Sequence, residues 1–417
     1  MRWGLSRDAT LLVAGQAVRA GGYGFTAVVL GALLAARGYG TLRAGLVLSA
    51  LIAGTALGSL LVGAVADRVG RRRCYTVFFL LVAVAGGLIA AGAPYWLLMV
   101  VALTGAVSTD VVDNGPATTL EQTMLAAEDA GTARVYGRYN AMGATAGALG
   151  ALAAALPGIG DRGGGVHVWL FAVLVPVGLT GALMAWRLSP AVEAAAAGRP
   201  TGGAGRTRLG PSRPVVRRLA ALFAVDAGGG GLVTAGFLSY YFATRYHVSL
   251  AVLGWLFFAL TLVQAASVAL APLLARRYGL IATMVGTHLP SNVLLAGVAF
   301  APTFPFAAGL LLARTVLSQM DVPTRQALVM TAVTPAERTA AAAITNAARY
   351  TVRPVGPLVA GAVQQISLGA PLLLAGLIKG GYDLALWRWA RHLPLPNGNP
   401  ASVRAPAANQ DHGRLRA

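Results

Sequence analysis

The sequence predicts an all-α integral membrane protein: twelve transmembrane helices in two pseudo-symmetric six-helix bundles. Composition is the first ground. Of 417 residues, 56% are hydrophobic and only 11% charged, against about 25% charged in a soluble domain, so the chain needs lipid as a solvent. Spacing is the second. Apolar windows able to cross about 30 Å of hydrocarbon at about 1.5 Å per residue recur roughly twelve times. Repetition is the third: the second half laid on the first at an offset of about 204–209 residues brings like features together, as in carriers built from structural repeats.

The first window, 9–36, follows Arg2 and Arg7. It is longer than the roughly 7–15 residues of a cleaved signal core and is therefore expected to be retained as a helix. Windows 43–66, 74–93, 96–126, 134–157 and 166–187 complete an N-terminal bundle over 1–190. The chain then turns rich in Ala, Gly, Pro and Arg, with Glu193 its one acid between Arg187 and Arg218. This composition predicts a solvated linker over 191–214. Windows 215–244, 250–275, 279–300, 303–332, 337–366 and 369–391 make the C-terminal bundle, 215–392, and the polar, Pro- and Asn-rich stretch 393–417 is expected to be a disordered cytoplasmic tail.

A net charge of +19 would point to nucleic acid in a soluble protein. Here topology accounts for it. Basic residues gather at 68–73, across 187–218, at Arg276 and Arg277, and at Arg388 and Arg391, while the turns near 93–95, 301–305 and 367–370 carry none. Positive charge stays on the cytoplasmic side, which predicts a multi-pass protein of the inner membrane with both termini cytoplasmic. Arg37, Arg43, Arg162 and Arg245 depart from this rule. The partners expected are a small-molecule substrate, a proton and membrane lipids, with no nucleic acid, and the protein is expected to be a monomer. A single cysteine, Cys74, excludes an internal disulfide and a cysteine metal cluster. His167, His247, His288, His392 and His412 are scattered, Lys379 stands alone as the one lysine, and no G-x-x-x-x-G-K-[ST] loop is present. No metal, cofactor, ATP site or enzyme activity is expected.

Residues 63–73, Gly-Ala-Val-Ala-Asp-Arg-Val-Gly-Arg-Arg-Arg, form a basic turn between two apolar windows. Gly63, Asp67, Arg68, Gly70, Arg71 and Arg72 match the G-x-x-x-D-R-x-G-R-R signature between helices 2 and 3 of the major facilitator superfamily, which the chain resembles. The resemblance implies alternating access, with Asp67 capping a neighbouring helix and pairing with an arginine as a gate. Arg276-Arg277-Tyr278-Gly279 reads as a decayed copy of the same turn. Ser318 to Gln326 followed by Pro335 to Thr339, and Asp113-Asn114-Gly115-Pro116 with Glu121-Gln122, resemble patterns that recur in uncharacterised prokaryotic members. Gly143, Gly147 and Gly150 keep part of the helix 5 pattern of drug–proton antiporters, with Ala148 where that pattern has proline.

The repeat places opposite charges at matched positions: Arg19 with Asp226, Asp110 with Arg314, and Glu121 with Arg325. A charge at the bilayer centre costs at least about 2.5–3.5 kcal/mol, so these side chains are expected to face one another or water. Asp110 and Glu121, and likewise Arg314 and Arg325, are expected to share one helical stripe. A carboxylate's proton affinity rises on burial and falls beside an arginine, which makes Asp110, Asp113, Glu121 and Asp226 the candidates for proton coupling. Arg19, Gln122, Arg314, Asp321, Arg325, Gln326, Arg349 and Arg353 are the candidates for lining the substrate cavity. Static salt bridges that fix helix register are the alternative for all of these charges. The function expected is proton-coupled efflux of a small organic molecule; uptake or facilitated exchange, and a non-transporting sensor or enzyme on the same fold, stay open.

Overall fold

The computed structural model describes residues 5–111, 115–125, 132–156, 166–193 and 209–391. Asp113, most of the expected linker and the tail 393–417 lie outside the described residues. Ordered structure among the described residues is helical. The first half comprises α1 (Arg7–Ala36), α2 (Thr41–Val69), α3 (Arg71–Ala90), α4 (Tyr95–Leu103), α5 (Pro116–Leu125), α6 (Thr132–Ala153) and α7 (Leu174–Trp186), the last entered through a 3-10 turn, Val168–Val173. The second comprises α8 (Arg213–Gly231), α9 (Ala235–Tyr246), α10 (Leu250–Tyr278), α11 (Leu280–Val298), α12 (Phe304–Ser318), α13 (Asp321–Thr331), α14 (Arg338–Val352), α15 (Val355–Val363) and α16 (Ala370–Ala390). Among the described residues seven helical stretches are long and apolar enough to cross a membrane unaided, and the order of the remaining helices is consistent with twelve crossings.

Four of the expected continuous helices are broken, each for a local reason. Window 96–126 divides into α4 and α5 around an irregular segment with Gly105 at φ +70°. Pro116 then opens α5, where its missing N–H is no loss. Window 215–244 divides into α8 and α9 after Gly228–Gly231, and the Thr234 hydroxyl caps α9 by accepting the Phe237 N–H at 3.2 Å. Window 303–332 bends at Gln319 and Met320, and window 337–366 at Arg353 and Pro354, whose ring cannot continue a helix. Asp110 therefore sits in irregular chain, its N–H donating to Ser108 Oγ at 3.0 Å. The shared helical stripe expected for Asp110 and Glu121 does not exist, and that of Arg314 and Arg325 is interrupted.

The repeat is visible in the packing. In the first half α1 lies on α6 and α3 on α7; in the second α8 lies on α14 and α11 on α16. Gly70 between α2 and α3 has φ 101° and ψ 131°, and Gly279 between α10 and α11 has φ 86° and ψ 162°. Both helix-to-helix junctions thus use one left-handed conformation that glycine alone adopts freely.

The halves clasp at the end opposite those two junctions. There Gly31 of α1 meets Gly236 of α9, Gly45 of α2 meets Pro357 and Gly361 of α15, and Gly254 of α10 meets Ala151 and Ala155 at the end of the first half's fifth crossing. Ser239 Oγ donates to the Val28 carbonyl at 2.5 Å and the Tyr240 hydroxyl to the Tyr39 carbonyl at 3.0 Å. Towards the junction end the cover thins. Buried residues of α2 run from Ala44 to Thr55 and then include only Ala66, and those of α10 fall mainly between Leu250 and Leu260.

At the junction end, in the turn before α14, Glu337 ties down the approach to α8. Its carboxylate accepts from the Gly210 N–H, the Ser212 N–H at 3.3 Å and the Thr334 hydroxyl at 2.9 Å. Hydrogen bonding from Ser212 first, then Thr334 and the Gly210 N–H, holds this carboxyl below its ordinary pKa. A depressed folded-state pKa stabilises above the unfolded value, about 4.3, and the contribution is lost as pH falls through the folded value. Glu337→Gln should therefore lower the midpoint of thermal unfolding at pH 7, and the gap to the parent should close below pH of about 4.

The α1–α6 contact makes a second prediction. A Cβ at Gly24 would strike the Gly147 carbonyl, and one at Gly150 the Gly21 carbonyl. Gly24→Val or Gly150→Val should cost at least about 1–3 kcal/mol and be read as loss of monodisperse protein on size exclusion. Gly309→Ala, whose added methyl meets nothing within 4 Å, should behave as the parent or better.

Candidate functional site

At the centre of the first half, α1 carries Arg19 and α5 carries Glu121, 1% and 0% exposed. Arg19 Nη2 donates to Glu121 Oε2 at 2.9 Å and Nε to Oε1 at 3.4 Å. The Tyr75 hydroxyl of α3 donates to Oε1 at 2.6 Å, and the Tyr139 hydroxyl of α6 donates to Oε2. Four donors take up the lone-pair directions of one carboxylate. The guanidinium is equally occupied, donating also to Thr118 Oγ1 at 3.1 Å and to Gln16 Oε1, with the Tyr23 ring centroid 5.3 Å from its Cζ.

The second half holds the charge-reversed counterpart. Asp226 of α8 accepts from Arg325 of α13 at 3.4 Å and from Lys379 of α16, and Arg325 also donates to Asp321 at 2.7 Å. The positions of Arg19 and Glu121 are thus taken by Asp226 and Arg325. These charges were expected to face one another or water, with static salt bridges as the alternative; Arg19 pairs with Glu121 and Asp226 with Arg325, each within its own half. Around Asp226 the cluster continues. His288 Nδ1 of α11 lies 2.8 Å from Asp383 Oδ1 of α16, and its Nε2 lies 4.0 Å from Asp226 Oδ1. Asn292 Nδ2 donates to Asp383 Oδ2 at 2.8 Å, and Tyr382 meets the imidazole edge to face at 6.1 Å between centroids. Between the halves, Arg353 at the α14–α15 break pairs with Asp110.

The remaining predicted residues are placed as follows. Gln122 and Gln326 are exposed, beside Glu121 and Arg325. Arg314 lies within electrostatic reach of Asp321 and Asp226, and Arg349 within reach of Arg325, Arg353, Asp226 and Asp321. In the junction, Arg71 is buried and donates to Asp67 Oδ1 at 2.7 Å, whereas Gly63 and Arg68 are exposed. Arg72 donates through its side chain to the Trp186 carbonyl. The start of α3 is capped by Glu193, which accepts the N–H groups of Arg71 and Arg72 at 2.9 Å each. Asp113 lies outside the described residues.

His288, Asn292, Lys379 and Asp383 were not singled out from sequence. Their signal was there: two polar pairs at i, i+4 spacing in otherwise apolar windows, which in a membrane means a shared inward face. Tyr75 and Tyr139 carried no such signal.

Two matching helical bundles clasped at one end, with paired charge buried at their centres, define a membrane carrier. Family comparison agrees. The Major Facilitator Superfamily model matches residues 12–357, and the chain belongs to that superfamily; it is a transporter and not an enzyme. Similar solved structures are the nucleoside transporter NupG (TM-score 0.72, 16% identity, covering 91% of this chain and 97% of that one), the E. coli xylose transporter XylE in an inward-open conformation (0.67, 15%, 92% and 96%) and the human organic anion transporter MFSD10 (0.61, 17%, 91% and 99%). At these identities the likeness is one of fold. An uncharacterized membrane protein of Saccharomyces cerevisiae is 28% identical over 148 residues, 35% of this chain, and the match spans about a third, 33%, of that relative.

Removing one partner of a buried ion pair strands the other charge, typically at about 3–5 kcal/mol, whereas replacing both by apolar groups is often near neutral. Arg19→Met should therefore lower the thermal unfolding midpoint sharply in detergent, and Arg19→Met with Glu121→Leu should recover most of the loss. Equal midpoints for the single and double variants would show that the pair is not the unit.

Proposed function

We propose that the protein is a proton-coupled exporter of a small organic molecule. It works as a monomer in the bacterial inner membrane, with the junction end and both termini cytoplasmic. The supporting observation is His288, held between two carboxylates. With Asp383 ionised, Nδ1 carries the hydrogen that it accepts, which leaves Nε2 bare and directed to Asp226 at 4.0 Å. A proton arriving on Nε2 creates an imidazolium that draws Asp226 towards it and competes with Lys379 and Arg325 for that carboxylate. Releasing Arg325 frees α13, a half-helix hinged at Gln319 and Met320, to move against α12.

In this reading the fully occupied Arg19–Glu121 pair is a fixed latch, and the C-terminal cluster is the moving part. The clasp at the end opposite the junctions supports reading the state described as inward-facing, and the basic junction loops support placing the junction end in the cytoplasm. Export is favoured by the α6 glycine face, where Gly143, Gly147 and Gly150 meet Gln16, Val111 and Gly21, in line with the partial antiporter pattern.

Everted vesicles loaded by respiration test both coupling and direction. A compound that shifts the thermal midpoint of the pure protein should enter them only while the proton gradient stands, and should partly dissipate that gradient. His288→Gln and Asp383→Asn should each cut this proton-linked flux about 10-fold or more while leaving exchange of labelled for unlabelled compound in place. Accumulation undiminished by an uncoupler would overturn proton coupling; uptake confined to right-side-out vesicles would reverse the direction.

A further inference from the structure

We propose that Arg314 and Arg349, both beside the Asp226–Asp321 cluster of the second half, each offer a guanidinium to an anionic group, so that the substrate carries a carboxylate or phosphate. Every other cation in the second half's centre is matched. Arg325 is taken by Asp321 and Asp226, Lys379 by Asp226, and Arg353 by Asp110 across the halves. Arg314 and Arg349 differ: among the described residues neither guanidinium makes a hydrogen bond or ion pair, and the Nε of each is buried without an acceptor. The carboxylates within electrostatic reach of both, Asp226 and Asp321, are already engaged. Arg349 has in addition Arg325 and Arg353 as like-charged neighbours.

Both side chains are half-buried, a buried Nε left unmatched in a membrane is costly, and a pre-organised guanidinium fork is the group best suited to a bidentate carboxylate or phosphate. Placement agrees with chemistry. Arg314 precedes the α12–α13 break by five positions and Arg349 the α14–α15 break at Pro354 by five, counted on the sequence. Broken helices are where carriers of this build hold their substrates.

The inference rests on the cleft being the route of transport. It is tested by equilibrium binding, without vesicles or a proton gradient, so its failure leaves the proton-coupling reading untouched. The probes are benzoate and inorganic phosphate, with neutral benzamide and cationic benzylamine as controls, followed by thermal shift of the full-length protein in detergent. At least one anion should raise the unfolding midpoint of the parent, and the controls should not. Arg314→Gln and Arg349→Gln should each weaken that anion's binding about 10-fold or more, with Arg314→Lys retaining part of it.

Both glutamine variants remove an unmatched charge and are expected to fold at least as well as the parent, which size exclusion checks. Adding phosphatidylglycerol separates the sources of the anion: a midpoint raised by this lipid, and by no soluble anion, through the same two arginines would overturn the substrate assignment in favour of a lipid. A shift by benzamide equal to that by benzoate, no shift by either anion, or anion shifts that survive both glutamine substitutions would overturn it outright.

Discussion

The structure turns on one constraint: a charge held in hydrocarbon must find its opposite within reach, because no water is there to do so. Each half meets this requirement internally for its first-to-fourth-crossing pair. Arg19 is answered by Glu121 and Asp226 by Arg325, in both cases between the first and fourth crossings of the bundle. These two pairs travel with their own halves, since neither depends on a partner across the boundary. The halves then touch through small residues and backbone, Gly31 on Gly236 and Gly45 on Gly361, contacts that close tightly yet carry no charge to strand when they part.

The two halves use the same constraint differently. In the first, one carboxylate receives four donors and one arginine supplies Glu121, Thr118 and Gln16; the set is saturated. In the second, Asp226 is shared among Arg325, Lys379 and, at longer range, His288, while Asp383 is shared between His288 and Asn292. A shared acceptor has several arrangements of similar energy, and bistable elements of this kind are what switching requires. Charge reversal under the repeat follows from the same logic: a neutral pair works with either sign on either helix, so the symmetry of the fold is kept while the chemistry of the two sites diverges.

Much of this was legible in the sequence and some was not, for definite reasons. Apolar windows located the helices because lipid fixes their length, and the Gly63–Arg72 turn named the family because its spacing is tied to one junction. The offset of the repeat marked Arg19, Asp226, Glu121 and Arg325 as equivalent but could not say which of the possible opposite-charge partners meet, since equivalence under a two-fold axis fixes position and leaves distance free. The helix breaks at Gly105, Met320 and Pro354 were not placed because a window of about 20 residues, the length of one crossing, averages over both arms of a break. Asp110 and Glu121 looked like one stripe only while α4 and α5 were one helix. Tyr75 and Tyr139 were hidden for a simpler reason: a tyrosine in an apolar window is ordinary until its hydroxyl is seen to meet a carboxylate.

The cross-half pair Arg353–Asp110 sits where these considerations meet. Both residues lie in broken chain, Arg353 at the α14–α15 hinge and Asp110 in the irregular segment before α5, and both are about a quarter exposed, at 27% and 24%. Unlike the pairs inside each half, this one joins bodies that alternating access must move relative to each other. Partial exposure lowers the cost of breaking it, because water can take over either charge as the ions separate. Irregular backbone at both ends lets the ions follow each other through small changes in φ and ψ before they let go. A contact of this kind can hold the present arrangement without trapping the protein in it, whereas a pair as buried as Arg19–Glu121, placed across the same boundary, would lock the halves together.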